Sequence, residues 1–180
     1  SLHVADKMAG FGMVEARDLT EYKVGLIQEN IVRAGTINVQ TRCMDATVLD
    51  IDSEDSADIV LADVPCSGYG VIGKKPDIKY KVTPSKQEEI VILQRKILDR
   101  AARYVKRGGT LVYSTCTIAK EENQENVSWV LENYPFEAVE LDSCLPQELC
   151  CETTKLGYLQ LLPGVHKTDG FFIAKFKRKR

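Results

Sequence analysis

Apolar residues return at two periods along this chain, every third or fourth position in long stretches and in short unbroken or alternating runs between them. Leu2 to Met8 reads as a helix, and Gly12 to Arg17 (GMVEAR) as a short strand after a glycine turn. Thr20 stands where it can cap a second helix carrying Val24, Ile27, Ile31 and Ala34 on one face, with Gly35 as its stop signal. A strand is expected from Val39 to Met44. The run IVLA inside Ala57 to Asp63, bounded by aspartates, has the pattern of a strand buried on both faces of a parallel sheet. It leads into a Pro-Cys-Ser-Gly loop. Thr83-Pro84 then opens a long helix, with Pro at the first position and Ser85 three residues before Glu88 as a capping box. Ile90, Leu93, Ile97, Ala101 and Tyr104 predict its buried face. Gly108-Gly109 is expected to end that helix, Leu111 to Ser114 to form the next strand, and residues 119 to 133 to be helical up to Tyr134-Pro135.

Strand and helix alternate through these segments, which predicts an α/β fold with a mostly parallel sheet and helices on both faces. The tail departs from the alternation. Phe136 to Leu141, Tyr158 to Leu162 and Phe171 to Phe176 are three strand-like runs with no helical pattern between the last two, so an antiparallel C-terminal edge is expected.

Composition narrows the classes. A chain of 180 residues with 44% hydrophobic positions has the material for one cored domain, residues 1–180. A net charge of -2 excludes a uniformly basic nucleic-acid binder, so any contact with nucleic acid must use local patches. None of the six cysteines has the C-x-x-C spacing of a zinc or thioredoxin-like site, and no metal is expected. No charged-then-apolar leader and no apolar run near the roughly 18 residues of a membrane span is present, which predicts a cytoplasmic, reducing location and free thiols.

Three motifs carry candidate chemistry. GYGVIG at Gly68 to Gly73 matches G-x-G-x-x-G, but it runs into Lys74-Lys75-Pro76-Asp77 instead of opening a helix, and no acid ends a strand about 20 positions later. A flexible loop of small residues is the better reading. The other two, DVPCSGYG at 63–70 and YSTCT at 113–117, each place a cysteine just past the C-terminal end of an expected parallel strand, the edge where open α/β sheets bind ligands. If the strands are neighbours, about 4.8 Å apart, both sulfurs reach one substrate. The plain alternative is two small buried cysteines.

DVPCSGYGVIGKKPDIKY and GGTLVYSTCTIAKEEN resemble the two cysteine motifs of the Sun and nucleolar-protein family of RNA 5-methylcytosine methyltransferases, the bacterial 16S ribosomal RNA branch most of all. The resemblance extends over nearly the whole chain, since GMVEARDLTEYKVGLIQENIVRAG is similar to that family's ribose-binding strand and following helix, and HKTDGFFIAKF to its closing hairpin. It implies a Rossmann-like methyltransferase sheet, S-adenosylmethionine as cofactor, and RNA, with ribosomal RNA foremost, as substrate. It also places Ser1 just after the family's glycine loop, so the first strand and that loop are expected to be absent from the chain.

The same resemblance assigns the attack on cytosine C6 to Cys116 and help with C5 proton removal and product release to Cys66. The physical chemistry of the residues leaves the order of the two thiols open. A thiolate added at C6 enriches C5, which is otherwise a poor nucleophile. Asp63 is expected to bond the base or contribute to the cofactor site, its alternative being a solvated strand-end acid. Asp18 is expected to hold ribose hydroxyls and Asp45 the adenine amine, the alternative for both being a turn or helix cap. Lys74, Lys75, Lys79 and Lys81 with Tyr80 form a basic segment with an aromatic, suited to RNA phosphates and stacking or else simply a solvated loop, and the terminal KFKRKR shares that ambiguity. A non-catalytic RNA-binding scaffold is the alternative function, and a nicotinamide-dependent dehydrogenase a distant third.

Overall fold

The computed structural model describes residues 1–81 and 83–180, which group into two compact units, Ser1–Leu49 and Asp50–Arg180. In the first, helix α1 (Leu2–Lys7) precedes strand β1 (Val14–Asp18), helix α2 (Glu21–Ala34) and strand β2 (Val39–Cys43). β1 and β2 pair in parallel, Val14 opposite Val39 and Asp18 opposite Cys43. Thr20 caps α2 by accepting the Lys23 N–H, and Gly35 closes it in the left-handed conformation at φ 64° that favours glycine. Val24 is the buried anchor of α2, Ile27 and Ile31 are half-buried, and Ala34, expected on the same face, is exposed in the last turn.

The second unit holds β3 (Ala57–Asp63), helix α3 (Ile78–Lys81), α4 (Pro84–Tyr104), β4 (Val105–Thr115), α5 (Gln124–Asn133), β5 (Phe136–Ala138), α6 (Glu152–Lys155), β6 (Tyr158–Leu161) and β7 (Phe171–Arg178). β3 and β4 are parallel neighbours, and β7 runs antiparallel to β4 on one side and to β5 and β6 on the other. The parallel side and the antiparallel C-terminal side thus fall where the sequence pattern put them.

Leu111 and Tyr113 of β4 and Phe172, Ala174 and Phe176 of β7 form one core with Leu98, Ala101 and Ala102 of α4 and Val127 and Val130 of α5. Each fully buried large side chain among them contributes about 1.5–3 kcal/mol by leaving water.

Five expectations about this unit need correction. β3, expected to be buried on both faces, leaves Ile59 and Leu61 exposed, since it is the edge strand of its sheet with β4 as its paired neighbour among the described residues. α4 ends at Tyr104, ahead of the glycine pair, and β4 begins at Val105. The glycines form a bulge inside the strand, with Gly108 at φ 75° and the β3–β4 register slipping between Ala57 and Ile59. The deepest line on α4 is Gln94, Leu98, Ala101 and Ala102, rotated from the expected apolar stripe because Gln94 turns inward to bond other polar groups. The α4 cap is Thr83 accepting from the Lys86 N–H, with its hydroxyl against that of Ser85, instead of a Ser85–Glu88 box. Residues 119–123 are turn and loop, since their side chains and backbone bond back to the loop after β4, and α5 starts only at Gln124.

Candidate active site

Parallel pairing of β3 and β4 sets Asp63 opposite Ser114, so the chain leaves both strands at one edge and enters two loops side by side. Cys66 lies three residues past Asp63 and Cys116 two past Ser114. The loops are laced together by backbone: Val64 N–H donates to Ser114 O at 3.3 Å and Gly70 N–H to Cys116 O at 3.0 Å. Gly170 N–H, in the turn before β7, donates to Gly70 O at 2.8 Å. This approach requires glycine. A Cβ on Gly70 falls 2.3 Å from Gly170 O and 2.7 Å from Cys116 O. The first half of GYGVIG is therefore a packed crossing, with Gly68 and Gly70 buried beside Ser67, while Ile72 and Gly73 are exposed as in the loop expected from its small residues.

The result is a thiol pair, with Cys66 Sγ and Cys116 Sγ 3.1 Å apart and both residues half-buried. Burial foremost, and then the hydrogen bond and charge of Cys116, push the Cys66 thiol up to about 12 from its ordinary 9.0. Cys66 accordingly keeps its proton at neutral pH, and the two sulfurs share a hydrogen bond in which either can donate.

Beneath the pair lies a buried polar network that the sequence pattern did not reveal. Glu122, fully buried, accepts from Ser67 N–H and from Gln94 Nε2, both at 2.9 Å, and Gln94 Nε2 also donates to Pro65 O at 2.9 Å. Asn126 Nδ2 donates to Gln94 Oε1 at 2.9 Å and to Tyr113 OH at 3.1 Å, while Tyr113 OH donates to Glu122 O. Burial is the main reason that the Tyr113 hydroxyl is held well above the ordinary tyrosine range. On the Cys116 side, Ser67 Oγ meets Thr117 Oγ1 at 2.7 Å, and Asn123 ties Thr115, Thr117 O and Gln160 together. The available signal was Gln94 inside an apolar stripe and the EEN run three residues beyond TCT.

Asp63, exposed at the end of β3, accepts from Ser114 Oγ at 2.9 Å, one step behind the two cysteines. Asp18 and Asp45 lie in the other unit, at the same end of the β1–β2 pair, where Met44 N–H donates to Asp18 O. Asp18 Oδ1 accepts from Thr20 N–H at 3.3 Å and lies 3.7 Å from Lys23 Nζ. Asp45 Oδ1 accepts from both the N–H and the hydroxyl of Thr47 at 2.8 Å, bonds that hold its carboxyl below the usual range. Both acids thus make the turn contacts of the plain reading. They retain oxygen lone pairs for a diol or an amine.

Lys74, Lys75, Lys79 and Tyr80 are exposed on one segment, Lys74 in an ion pair with Asp169 at 2.6 Å and Lys79 over the Tyr80 ring at 5.7 Å. The side chain of Lys81 lies outside the described residues. Among the described residues no helix is long and apolar enough to cross a membrane, and no group of three or more His, Cys, Asp or Glu is placed to hold a metal.

An α/β sheet with this order, a β7 inserted antiparallel and its chemistry at the C-terminal edge defines a Rossmann-like methyltransferase. The chain belongs to the family described as 16S rRNA methyltransferase RsmB/F, whose model matches residues 1–177. It is 40% identical over 182 residues to Probable ribosomal RNA small subunit methyltransferase B of Bacillus subtilis (strain 168), covering 99% of this chain and 40% of that protein. Among solved structures it is similar to PH0851, with a TM-score of 0.87 and 34% identity over 98% of this chain and 39% of that one. NSun6 from Pyrococcus horikoshii with SFG gives a TM-score of 0.82 and 30% identity over 99% of this chain and 44% of that one. The chain spans about two fifths of the length of the curated relatives it matches.

Proposed function

We propose that this chain carries the catalytic part of an S-adenosylmethionine-dependent RNA cytosine-5 methyltransferase acting on ribosomal RNA. The activity belongs to the protein in its full length. The observation that carries this reading is the pair of thiols 3.1 Å apart at the C-terminal edge of a parallel strand pair. Family membership supports a small-subunit ribosomal RNA as the substrate class.

Each group has a task in that chemistry. Cys116, after its thiol proton has passed to solvent water, bonds through sulfur to C6 of the cytosine while the C5–C6 electron pair moves toward C5. The cofactor supplies the methyl group that C5 takes. Cys66, its own proton having passed to solvent water, then takes the C5 proton; the electrons of that C–H bond restore the C5–C6 double bond and expel Cys116 as a thiolate. Asp63, oriented by Ser114, is placed to bond the ring N3 or the exocyclic amine as charge develops.

Asp18 and Asp45 have the donor chemistry for the cofactor's ribose and adenine, carboxylate oxygens at the end of a parallel strand pair. Lys74, Lys75, Lys79 and Tyr80 supply phosphate contact and stacking, and the target base must be unpaired or flipped out to reach half-buried thiols.

The test is covalent trapping. RNA carrying 5-azacytidine, which blocks release, is expected to remain bonded to the full-length protein on a denaturing gel. Absence of any adduct with ribosomal RNA fragments, under conditions where the RNA binds, favours the non-catalytic scaffold.

A further inference from the structure

We propose that Glu122 is the positioning residue of this site, the group that fixes the Cys66 loop against Cys116. The proposal rests on the reading that Cys66 serves the reaction, and it concerns how that sulfur is kept in place.

Three observations converge on it. Glu122 is fully buried in the loop between β4 and α5, and one of its oxygens accepts from Ser67 N–H, the peptide next to Cys66. The same oxygen accepts from Gln94 Nε2, which in turn holds Pro65 O on the other side of Cys66. Cys66 is thereby gripped through the backbone of both neighbours by one carboxylate and one amide. Gln94 is fixed in its turn by Asn126, and the Glu122 backbone by Tyr113 and Asn126, so the grip stands on α4, β4 and α5 together.

The remaining oxygen, Glu122 Oε1, is buried and has no hydrogen-bond partner among the described residues. A buried carboxylate with an idle oxygen is costly. Stability alone favours an apolar side chain in such a place, whereas an acceptor that reaches both Ser67 N–H and Gln94 is needed to hold the loop. Geometry rather than charge is what the site uses, so an isosteric amide that presents its oxygen to the same two donors must retain the function.

The experiment compares Glu122→Ala and Glu122→Gln with wild type in the full-length protein by two measurements. The first is the rate at which iodoacetamide modifies Cys66 in a Cys116→Ser background. A released loop moves Cys66 toward solvent and lowers its pKa, and about one unit gives roughly tenfold faster modification below that pKa. Glu122→Ala is expected to show that gain and Glu122→Gln to stay near wild type. The second measurement is the covalent RNA complex formed with ordinary cytosine. Glu122→Ala, with Cys116 intact, is expected to form it at the wild-type rate and release it slowly, and Glu122→Gln to turn over.

Unchanged Cys66 reactivity in Glu122→Ala, or a Glu122→Gln variant that behaves like Glu122→Ala, overturns the proposal. Should Glu122→Ala not fold, Gln94→Met removes the donor shared by Pro65 O and the carboxylate and must give the same faster modification; if it does not, or if neither variant folds, the proposal falls. A changed Cys66 reactivity together with no adduct in Cys66→Ala upholds the positioning role and discards instead the order of the thiols given above.

Discussion

Cys66 Sγ and Cys116 Sγ meet at 3.1 Å although 50 residues separate them in sequence. The approach follows from the β3–β4 register, which ends both strands at Asp63 and Ser114, and from Gly70, whose missing Cβ lets one loop cross the other. Burial makes the Cys66 thiol hold its proton more tightly than an ordinary thiol does.

Single substitutions at the pair are expected to give opposite gels. Cys116→Ala removes the attacking thiol and with it both methylation and covalent RNA complexes. Cys66→Ala leaves attack possible but impairs elimination, so the complex accumulates. Accumulation with Cys116→Ala and none with Cys66→Ala, on a denaturing gel, reverses the roles.

The raised Cys66 thiol predicts a pH signature. With Cys116 replaced by serine, modification of Cys66 by iodoacetamide is expected to be still rising at about pH 10, where an ordinary thiol of pKa about 8.5 has levelled off. Burial, the largest cause of the shift, survives that replacement. The sign for stability follows from the same shift: the folded chain holds this proton more tightly than the unfolded one. Its contribution is therefore full below about pH 9 and is lost as pH rises toward 12. A plateau in the modification rate below about pH 9 rules out the buried, proton-holding thiol.

Much of this was legible in sequence, for identifiable reasons. Strands such as Ala57–Asp63 carry their own boundaries in flanking aspartates, and Thr20 and Gly35 are caps whose side-chain or backbone chemistry acts locally. The two cysteines were legible because strand ends are local and parallel neighbours bring them to one edge. What was not legible depends on partners far along the chain. Gln94 reads as a polar interruption of an apolar stripe until Pro65 and Glu122 are seen beside it, and residues 119–123 have helical composition but bond back to Thr117. The Gly108-Gly109 pair looked like a helix stop and is a strand bulge, because helix stop and bulge call for the same residue.

The exposed basic segment predicts a salt-dependent loss of RNA binding. Lys75→Ala and Lys79→Ala are expected each to weaken binding to single-stranded RNA about equally across sequences. Each should reduce the slope of log affinity against log salt by about 0.7 where a phosphate contact is lost. Lys74→Ala should do less, since its ammonium is already committed to Asp169. Filter binding from low to high salt measures the slopes; no change with either Lys75→Ala or Lys79→Ala assigns the segment to solvent.

Two glycines in one loop supply a matched pair of substitutions. Gly70 sits where an added Cβ meets Gly170 O at 2.3 Å and Cys116 O at 2.7 Å, both backbone atoms that cannot swing aside as a side chain tip does. Gly73, three residues on, is exposed and has nothing within 4 Å of its Cβ position. Gly70→Ala therefore forces the Cys66 and Cys116 loops apart, at a cost toward the upper end of the about 1–3 kcal/mol typical of overpacking. Gly73→Ala should change stability by no more than about 0.5 kcal/mol, as for other open surface positions. Because one of the two strained contacts is with the carbonyl of Cys116 itself, Gly70→Ala should also slow adduct formation on 5-azacytidine RNA, while Gly73→Ala leaves it unaltered. Urea unfolding and the trapping rate measure the two effects separately. Equal stability of the two variants is incompatible with the packed crossing, and a destabilised Gly70→Ala that traps RNA at the wild-type rate shows that the crossing supports the fold without setting the position of Cys116.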